Sequence, residues 1–433
     1  DITNWTMNHV WLHKQPLFLW QIALSLQLFG VSELAVRIPS VLMHALTAIM
    51  IYRIGKSSFN ASAGFYGALF FVVASYPLEL VAGRHATDHN DIAFLFYFTG
   101  SFWAWFEYQR SKKTGWLIFI GIMAGCAVLV KWLAGLMAYG IWLLVLGAED
   151  KKTWFRWKTY APILAAFFIS CMVFLPWQFY IFHKFPAEAA HEFHFNTHHF
   201  FRPLEDHGGD WWFHFRAVKD LYGSWLILPF LIAGLFLLFK RAQSKATGWV
   251  PIIVVLMTYA FFTVAATKMA SFCIIASPFV WLGLGVLAET IFKYLQLQIS
   301  GKILLRFMQT FLLSTVCFFI LNLPLIEDFH TRPNPTDHCG RAQEMAQMRI
   351  IASIRKNTGE GPTVVFNASA RPNGYIETMF YTDVVAYEFI PDIRQIERVR
   401  QQGYKTAIVV KDSLPEYISN DTAMIKLYFS ESK

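Results

Sequence analysis

The 433 residues are 55% hydrophobic and 17% aromatic, only 15% are charged, and the apolar residues gather in runs that approach or exceed the length of a bilayer crossing, about 20 residues. A water-soluble globular chain does not carry so many, and the composition specifies a polytopic membrane protein. The formal charge of +8 would suggest nucleic acid in a soluble protein, but here the cations sit in short turns between apolar runs, where membrane orientation explains them, so nucleic acid is excluded as a partner.

Taken in chain order, residues 1–35 read as an outer loop with an interfacial helix that starts near Pro16 in the stretch HKQPLFLW, His13 to Trp20. Ten spans are expected: 36–54, 61–82, 92–108, 115–130, 132–147, 159–182, 223–239, 249–266, 272–292 and 303–326, with 115–147 also readable as one broken helix. Alternate connections carry the cations. One set holds Arg53 and Lys56; Arg110, Lys112 and Lys113; Lys151, Lys152, Arg156 and Lys158; Lys240, Arg241 and Lys245; and Lys293, Lys302 and Arg306, so it is cytoplasmic. Both ends of the chain then fall on the outer side, and a chain beginning there is expected to have lost an N-terminal span.

The outer turns hold single cations, Lys14, Arg84, Lys131 and Lys268, which orientation does not require. A charge at or beside membrane depth is costly without a partner, and four of them on one face point to an anionic ligand such as a phosphate or pyrophosphate. The turn from Arg84 to Asp91 reads RHATDHND, so Asp88 and Asp91 are candidates to orient an acceptor hydroxyl, hold a divalent cation or pair with the cations. The outer loop 183–222 is rich in histidine and aromatic residues. His191, His194 and His198 share a helical face, and Glu192, Glu205, Asp206 and Asp210 lie in the same loop. A divalent ion (Mg, Mn or Zn) on Asp88 and His191 is one reading of it; an interfacial segment closing over a lipid-facing cavity is the other. Four of the five cysteines, Cys126, Cys171, Cys273 and Cys317, lie within apolar runs with no redox or metal spacing; the fifth is Cys339.

From residue 327 to 433 the chain turns polar. Short β-rich runs at 363–366, 384–389 and 406–410 alternate with helical periods at 342–355 and 393–402, which specify a small α/β domain on the outer side, lacking a Gly-rich phosphate loop.

These motifs resemble those of the polyprenyl-phosphate-dependent membrane glycosyltransferases of the GT-C class, the group of the protein O-mannosyltransferases and the aminoarabinose transferase of lipid A. HKQPLFLW is similar to the family's Lys-Pro-Pro-Leu segment followed by an aromatic-Trp pair. Arg37-Ile38-Pro39, the Arg84 to Asp91 turn, Leu129-Val130-Lys131-Trp132, His207 to Phe215 and Thr267-Lys268 through Pro278 follow in the family's order. Gln15 for a proline, Trp132 for a glycine and Phe272 for a tyrosine depart from it.

The resemblance implies a mostly α polytopic domain over 36–326 that moves a sugar, with inversion, from a polyprenyl-phosphate donor to a glycan, lipid A or protein acceptor among the membrane lipids. It implies a bacterial inner membrane with the C-terminal domain in the periplasm. Lys14, Arg84, Lys131 and Lys268 would bind the donor phosphate, Asp88 and Asp91 would serve the chemistry, and His194, His207, Trp211 and Trp212 would contact the acceptor. The family's upstream carboxylate base is expected before the first residue of this sequence. A noncatalytic subunit or a lipid-linked sugar transporter on the same fold is the alternative; a transporter would show a repeat between halves, and none is visible.

Overall fold

The computed structural model describes residues 10–83, 90–149, 156–204, 207–321, 341–411 and 413–428. They fall into two compact units, one drawn from Asp1–Ser25 and Arg37–Leu323, the other from Leu26–Val36 and Pro324–Lys433.

Within the described residues each expected span overlaps one or two helices, and the helices up to Leu321 lie in the first unit except for the end of Pro16–Phe29 and the start of Glu33–Ser58. The helices are α1 (Pro16–Phe29), α2 (Glu33–Ser58), α3 (Ala61–Val73), α4 (Ser75–Ala82), α5 (Asn90–Ser111), α6 (Thr114–Lys131), α7 (Met137–Glu149) and α8 (Ala161–Lys184). They continue as α9 (Pro186–Phe201), α10 (Phe213–Arg216), α11 (Val218–Tyr222), α12 (Leu228–Arg241), α13 (Lys245–Val264), α14 (Ser277–Gln298) and α15 (Lys302–Leu321). Among the described residues six stretches are long and apolar enough to cross a membrane, or eight if two bent pairs each count as one span. One bent pair is α3 with α4, turned by 49° at Ala74; the other joins Phe213–Tyr222 to Trp225–Arg241 at 91°. The chain is a multi-pass membrane protein. Helix α5 falls outside the six because Trp, Tyr and Glu dilute its apolarity, which it tolerates by being buried along nearly its whole length.

The region 115–147 is one candidate span broken into two helices, α6 and α7. Trp132, at φ 58°, ends α6, and the 3-10 turn Trp132–Leu136 packs Gly135 back onto Ala127 and Val128, where a Cβ would meet backbone at 2.6 to 2.8 Å. Beyond it Tyr139 shares a 2.5 Å hydrogen bond with Ser170, whose hydroxyl also reaches the Gly121 carbonyl at 2.7 Å, so the chain returns along α6.

Glycines set the closest helix contacts. A Cβ at Gly285 of α14 would stand 2.4 Å from the Gly67 nitrogen and 2.5 Å from the Ala63 carbonyl of α3, and one at Gly234 of α12 would stand 2.6 Å from the Gly283 backbone. In a membrane, where lipid tails are as apolar as leucine, such backbone-to-backbone packing drives association. Two buried glutamates pin the ends rich in cations: Glu107 is held by Arg53 and Arg110, each at 2.8 Å, and Glu289 by Arg241 at 2.7 Å and Asn60 at 3.1 Å.

The second unit contains a parallel sheet of four strands, β1 (Thr363–Phe366), β2 (Val385–Ala386), β3 (Lys405–Val410) and β4 (Met424–Tyr428), in the order β2-β1-β3-β4. Val365 pairs with Ala386 on one side and Ala407 on the other. Helices Arg341–Asn357 and Gly374–Tyr381 cover one face through Ile350, Ile354 and Tyr375, and Ile393–Gln401 covers the other through Ile396. The three β-rich runs and two helical periods read from the sequence are all present, and the small α/β domain is borne out. Helix Gly374–Tyr381 and strand β4 are additional.

Candidate active site

Lys131 is the last residue of α6, and the break at Trp132 leaves its side chain one-fifth exposed. Its ammonium forms an ion pair with Asp91, which lies in the first turn of α5 and is 1% exposed. A carboxylate suits that turn, where the α5 backbone N–H groups are unsatisfied. The same ammonium stands 4.3 Å from the centre of the Phe272 ring and 5.9 Å from that of Phe94. Partial desolvation makes both the charge pair and the ring contacts stronger than at an open surface. The result is a fixed cation, exposed on one side and anchored on the other.

Lys268 is arranged differently. Its ammonium donates to the carbonyls of Thr263 and Ala265, each at 2.5 Å, and of Phe262 at 3.3 Å, the unsatisfied end of α13. Burial pushes its pKa down. The lysine read as a phosphate ligand therefore caps a helix, and its backbone N–H donates to the His207 carbonyl at 2.8 Å. Thr267 beside it closes the same loop on α9, its hydroxyl meeting His199 Nδ1 at 3.0 Å and the Arg202 carbonyl at 3.2 Å.

Lys14 lies on a segment held from both sides. His13 Nδ1 meets Glu192 Oε2 of α9 at 3.2 Å, with both side chains under a tenth exposed, and Gln178 of α8 donates to Gln15 at 3.0 Å. Pro16 then opens α1, as expected from the motif. Sequence reasoning named Glu192 but not its partner. Nothing in the spacing of His13 and Glu192, 179 residues apart, advertises the pair.

Of the other histidines of α9, His191 and His194 are exposed and His198 is half-buried. His194 and His198 lie edge to face at 4.0 Å, and His191 stacks on Phe195. Among the described residues no group of three or more His, Cys, Asp or Glu side chains could hold a metal ion. Arg84 and Asp88 lie outside the described residues. Just before that turn Gly83, at φ 68°, carries the Arg37 guanidinium where a Cβ would be, so this position admits no side chain. Trp211 and Trp212 are exposed and adjoin Asp210, which pairs with Arg216 at 2.6 and 2.9 Å. The Arg216 guanidinium holds the Asp210 carboxyl below its ordinary range.

Residues 13–179 match the family model described as dolichyl-phosphate-mannose-protein mannosyltransferase. An uncharacterized protein of Aquifex aeolicus is 29% identical over 167 residues, 38% of this chain and 32% of that protein. The undecaprenyl phosphate-alpha-4-amino-4-deoxy-L-arabinose arabinosyl transferase of Pseudomonas paraeruginosa is 27% identical over 237 residues, 51% of this chain and 41% of that enzyme. The chain thus spans about a third to two fifths of the length of the curated relatives it matches.

Among solved structures, ArnT of Cupriavidus metallidurans bound to undecaprenyl phosphate superposes with a TM-score of 0.63 at 13% identity, covering 89% of this chain and 81% of that one. The oligosaccharyltransferase AglB of Archaeoglobus fulgidus, in complex with an inhibitory peptide and a dolichol-phosphate, gives 0.54 at 11% identity, covering 89% and 57%. The fold is that of the GT-C membrane glycosyltransferases, and the resemblance carried by the sequence motifs is borne out. Arabinosyl transferases are among the curated proteins it resembles in sequence, and ArnT is among the solved structures that share its fold.

Proposed function

We propose that the chain transfers a sugar from a polyprenyl-phosphate donor to a lipid, glycan or protein acceptor on the outer, periplasmic face of a bacterial inner membrane. The observation that carries this reading is the Lys131 ammonium, fixed by Asp91 and bracketed by Phe94 and Phe272 at one end of the bundle. It lies within the matched residues 13–179, on a fold shared with a protein crystallised with undecaprenyl phosphate.

In such a transfer the acceptor hydroxyl forms a bond to the anomeric carbon as the bond to the donor phosphate breaks, and the proton passes to a base. The leaving group is already an anion, so it needs neighbouring cations rather than a general acid. Lys131 and Lys14 supply that charge in this proposal, together with Arg84. Asp91, engaged by Lys131, positions the lysine, and Asp88 is the remaining carboxylate of the turn for the acceptor side. Lys268 acts through structure, closing the loop that holds His199 and His207. His194, His207, Trp211 and Trp212 line the approach of the acceptor.

The test is turnover of purified protein in lipid nanodiscs with a polyprenyl-phosphate sugar, followed as release of polyprenyl phosphate. Loss of at least about tenfold in Lys131→Ala, the scale of one charge-stabilising group, supports the reading. Wild-type turnover in that variant overturns the assignment of Lys131.

A further inference from the structure

Away from Lys131, a cleft of about 600 Å³ opens in the angle where the short helices α10 and α11 meet α12. Its walls are Trp212, Phe215, Trp225, Leu228 and Ile232, and its one charged lining residue is Arg216. We propose that this cleft binds an anionic phospholipid of the surrounding leaflet, its phosphate on Arg216 and an acyl chain along Leu228 and Ile232.

The bend fixes the kind of ligand. Phe213–Tyr222 and Trp225–Arg241 cross at 91°, so when α12 stands across the bilayer the first segment lies along its plane. The cleft between them therefore sits at headgroup depth. Its rim matches that depth: the Trp212 and Trp225 side chains are 60% and 49% exposed, as indoles are where hydrocarbon meets water. Ile232, further down α12, is 60% exposed and offers an apolar floor that water covers poorly and a hydrocarbon chain covers well. A neutral sugar would need several hydrogen-bonding side chains, and this lining offers an arginine and indole N–H groups only.

The charge selects an anion. Among the described residues no carboxylate lines the cleft itself, and the guanidinium of Arg216 is turned to Asp210 in a two-point pair at 2.6 and 2.9 Å. Both side chains are more than half exposed, so this pair is weak and exchanges readily. A lipid phosphodiester presents two oxygens to the same fork with the same single charge, so it can exchange with the carboxylate one for one, and its abundance in the leaflet favours the exchange. The inference uses neither Lys131 nor Lys14, and of the residues assigned to the proposed transfer it shares only Trp212.

Native mass spectrometry of the full chain, released from detergent with phosphatidylglycerol or phosphatidylcholine at equal concentration, tests it. Wild type is expected to retain phosphatidylglycerol with about tenfold preference, because the choline ammonium of phosphatidylcholine offsets the charge of its phosphate, and Arg216→Gln to lose the preference. Ile232→Trp, at an exposed position that does not threaten folding, is expected to lower retention of both lipids by obstructing the floor. Equal phosphatidylglycerol retention by wild type and Arg216→Gln overturns the proposal. So does competition in which polyprenyl phosphate, and not phosphatidylglycerol, is the species that depends on Arg216, because the cleft then serves the donor.

Discussion

The ammonium of Lys131 and the carboxylate of Asp91 meet at the junction of α6 and α5, 40 residues apart in sequence, with Asp91 buried and Lys131 partly open. That asymmetry gives the pair its direction. The acid is spent on fixing the base, and the base keeps one face for something else. Removing the acid is therefore expected to leave the charge of Lys131 but lose its placement. Asp91→Asn should raise KM for the polyprenyl-phosphate donor and lower kcat, together costing about 3 kcal/mol in kcat/KM, the scale of breaking a buried pair. Steady-state kinetics on the purified variant check this, and unchanged constants would show that Lys131 needs no anchor.

The segment carrying Lys14 depends on a contact made from α9. Glu192→Ala deletes the partner of His13 while leaving Lys14 itself intact. It is expected to raise KM for the donor roughly tenfold, the equivalent of about 1.4 kcal/mol, with a smaller change in kcat. The split between KM and kcat is the readout, since general damage to folding lowers the active fraction and moves kcat alone.

The α3 to α14 contact has no room for a side chain at Gly285. Gly285→Val forces the helices apart and is expected to cost roughly 1–3 kcal/mol, the range of overpacked sites. Thermal unfolding in detergent should show a lower midpoint for this variant. Gly115→Val, at a position with nothing within 4 Å of a Cβ, should show little change by comparison.

In the α/β domain, burial alone would raise the Asp421 carboxyl, but the Arg400 guanidinium at 2.7 Å and the backbone N–H groups of Ala423 and Met424 outweigh it and hold the pKa below the ordinary 3.8. A carboxylate depressed in the folded state stabilises above its unfolded pKa, and that contribution is lost as pH falls through the folded value. Hydrogen exchange at the amides of β3 and β4 should therefore accelerate more steeply in wild type than in Asp421→Asn as pH is lowered from about 5 to 3, after correction for intrinsic rates. Parallel curves for the two proteins would remove Asp421 from the acid response.

Much of this was legible in the sequence because the signals were local. HKQPLFLW announced a proline at the start of α1, the apolar runs announced the helices, and Val and Ile clusters announced β1 and β3. Strand β4 carries a weaker signal because MIKLY places a lysine inside a short run near the end of the chain. The candidate site was legible as a set of residues but not as an arrangement. Lys131 and Lys268 look alike in sequence, each a lone cation between apolar runs. In the fold one faces outward from an aromatic bracket and the other turns back to cap α13, a difference set by where α6 and α13 end. The pairing of His13 with Glu192 depends on α8 and α9 meeting the N-terminal segment, and no short-range pattern encodes it.

The most direct test is single-turnover release of polyprenyl phosphate from a polyprenyl-phosphate sugar by nanodisc-embedded wild type, Lys131→Ala and Lys131→Arg. Wild type should release the lipid phosphate in step with transfer to acceptor, Lys131→Ala should slow it by at least about tenfold, and Lys131→Arg, which keeps the charge, should recover part of the rate. Release by Lys131→Ala at the wild-type rate would contradict the account.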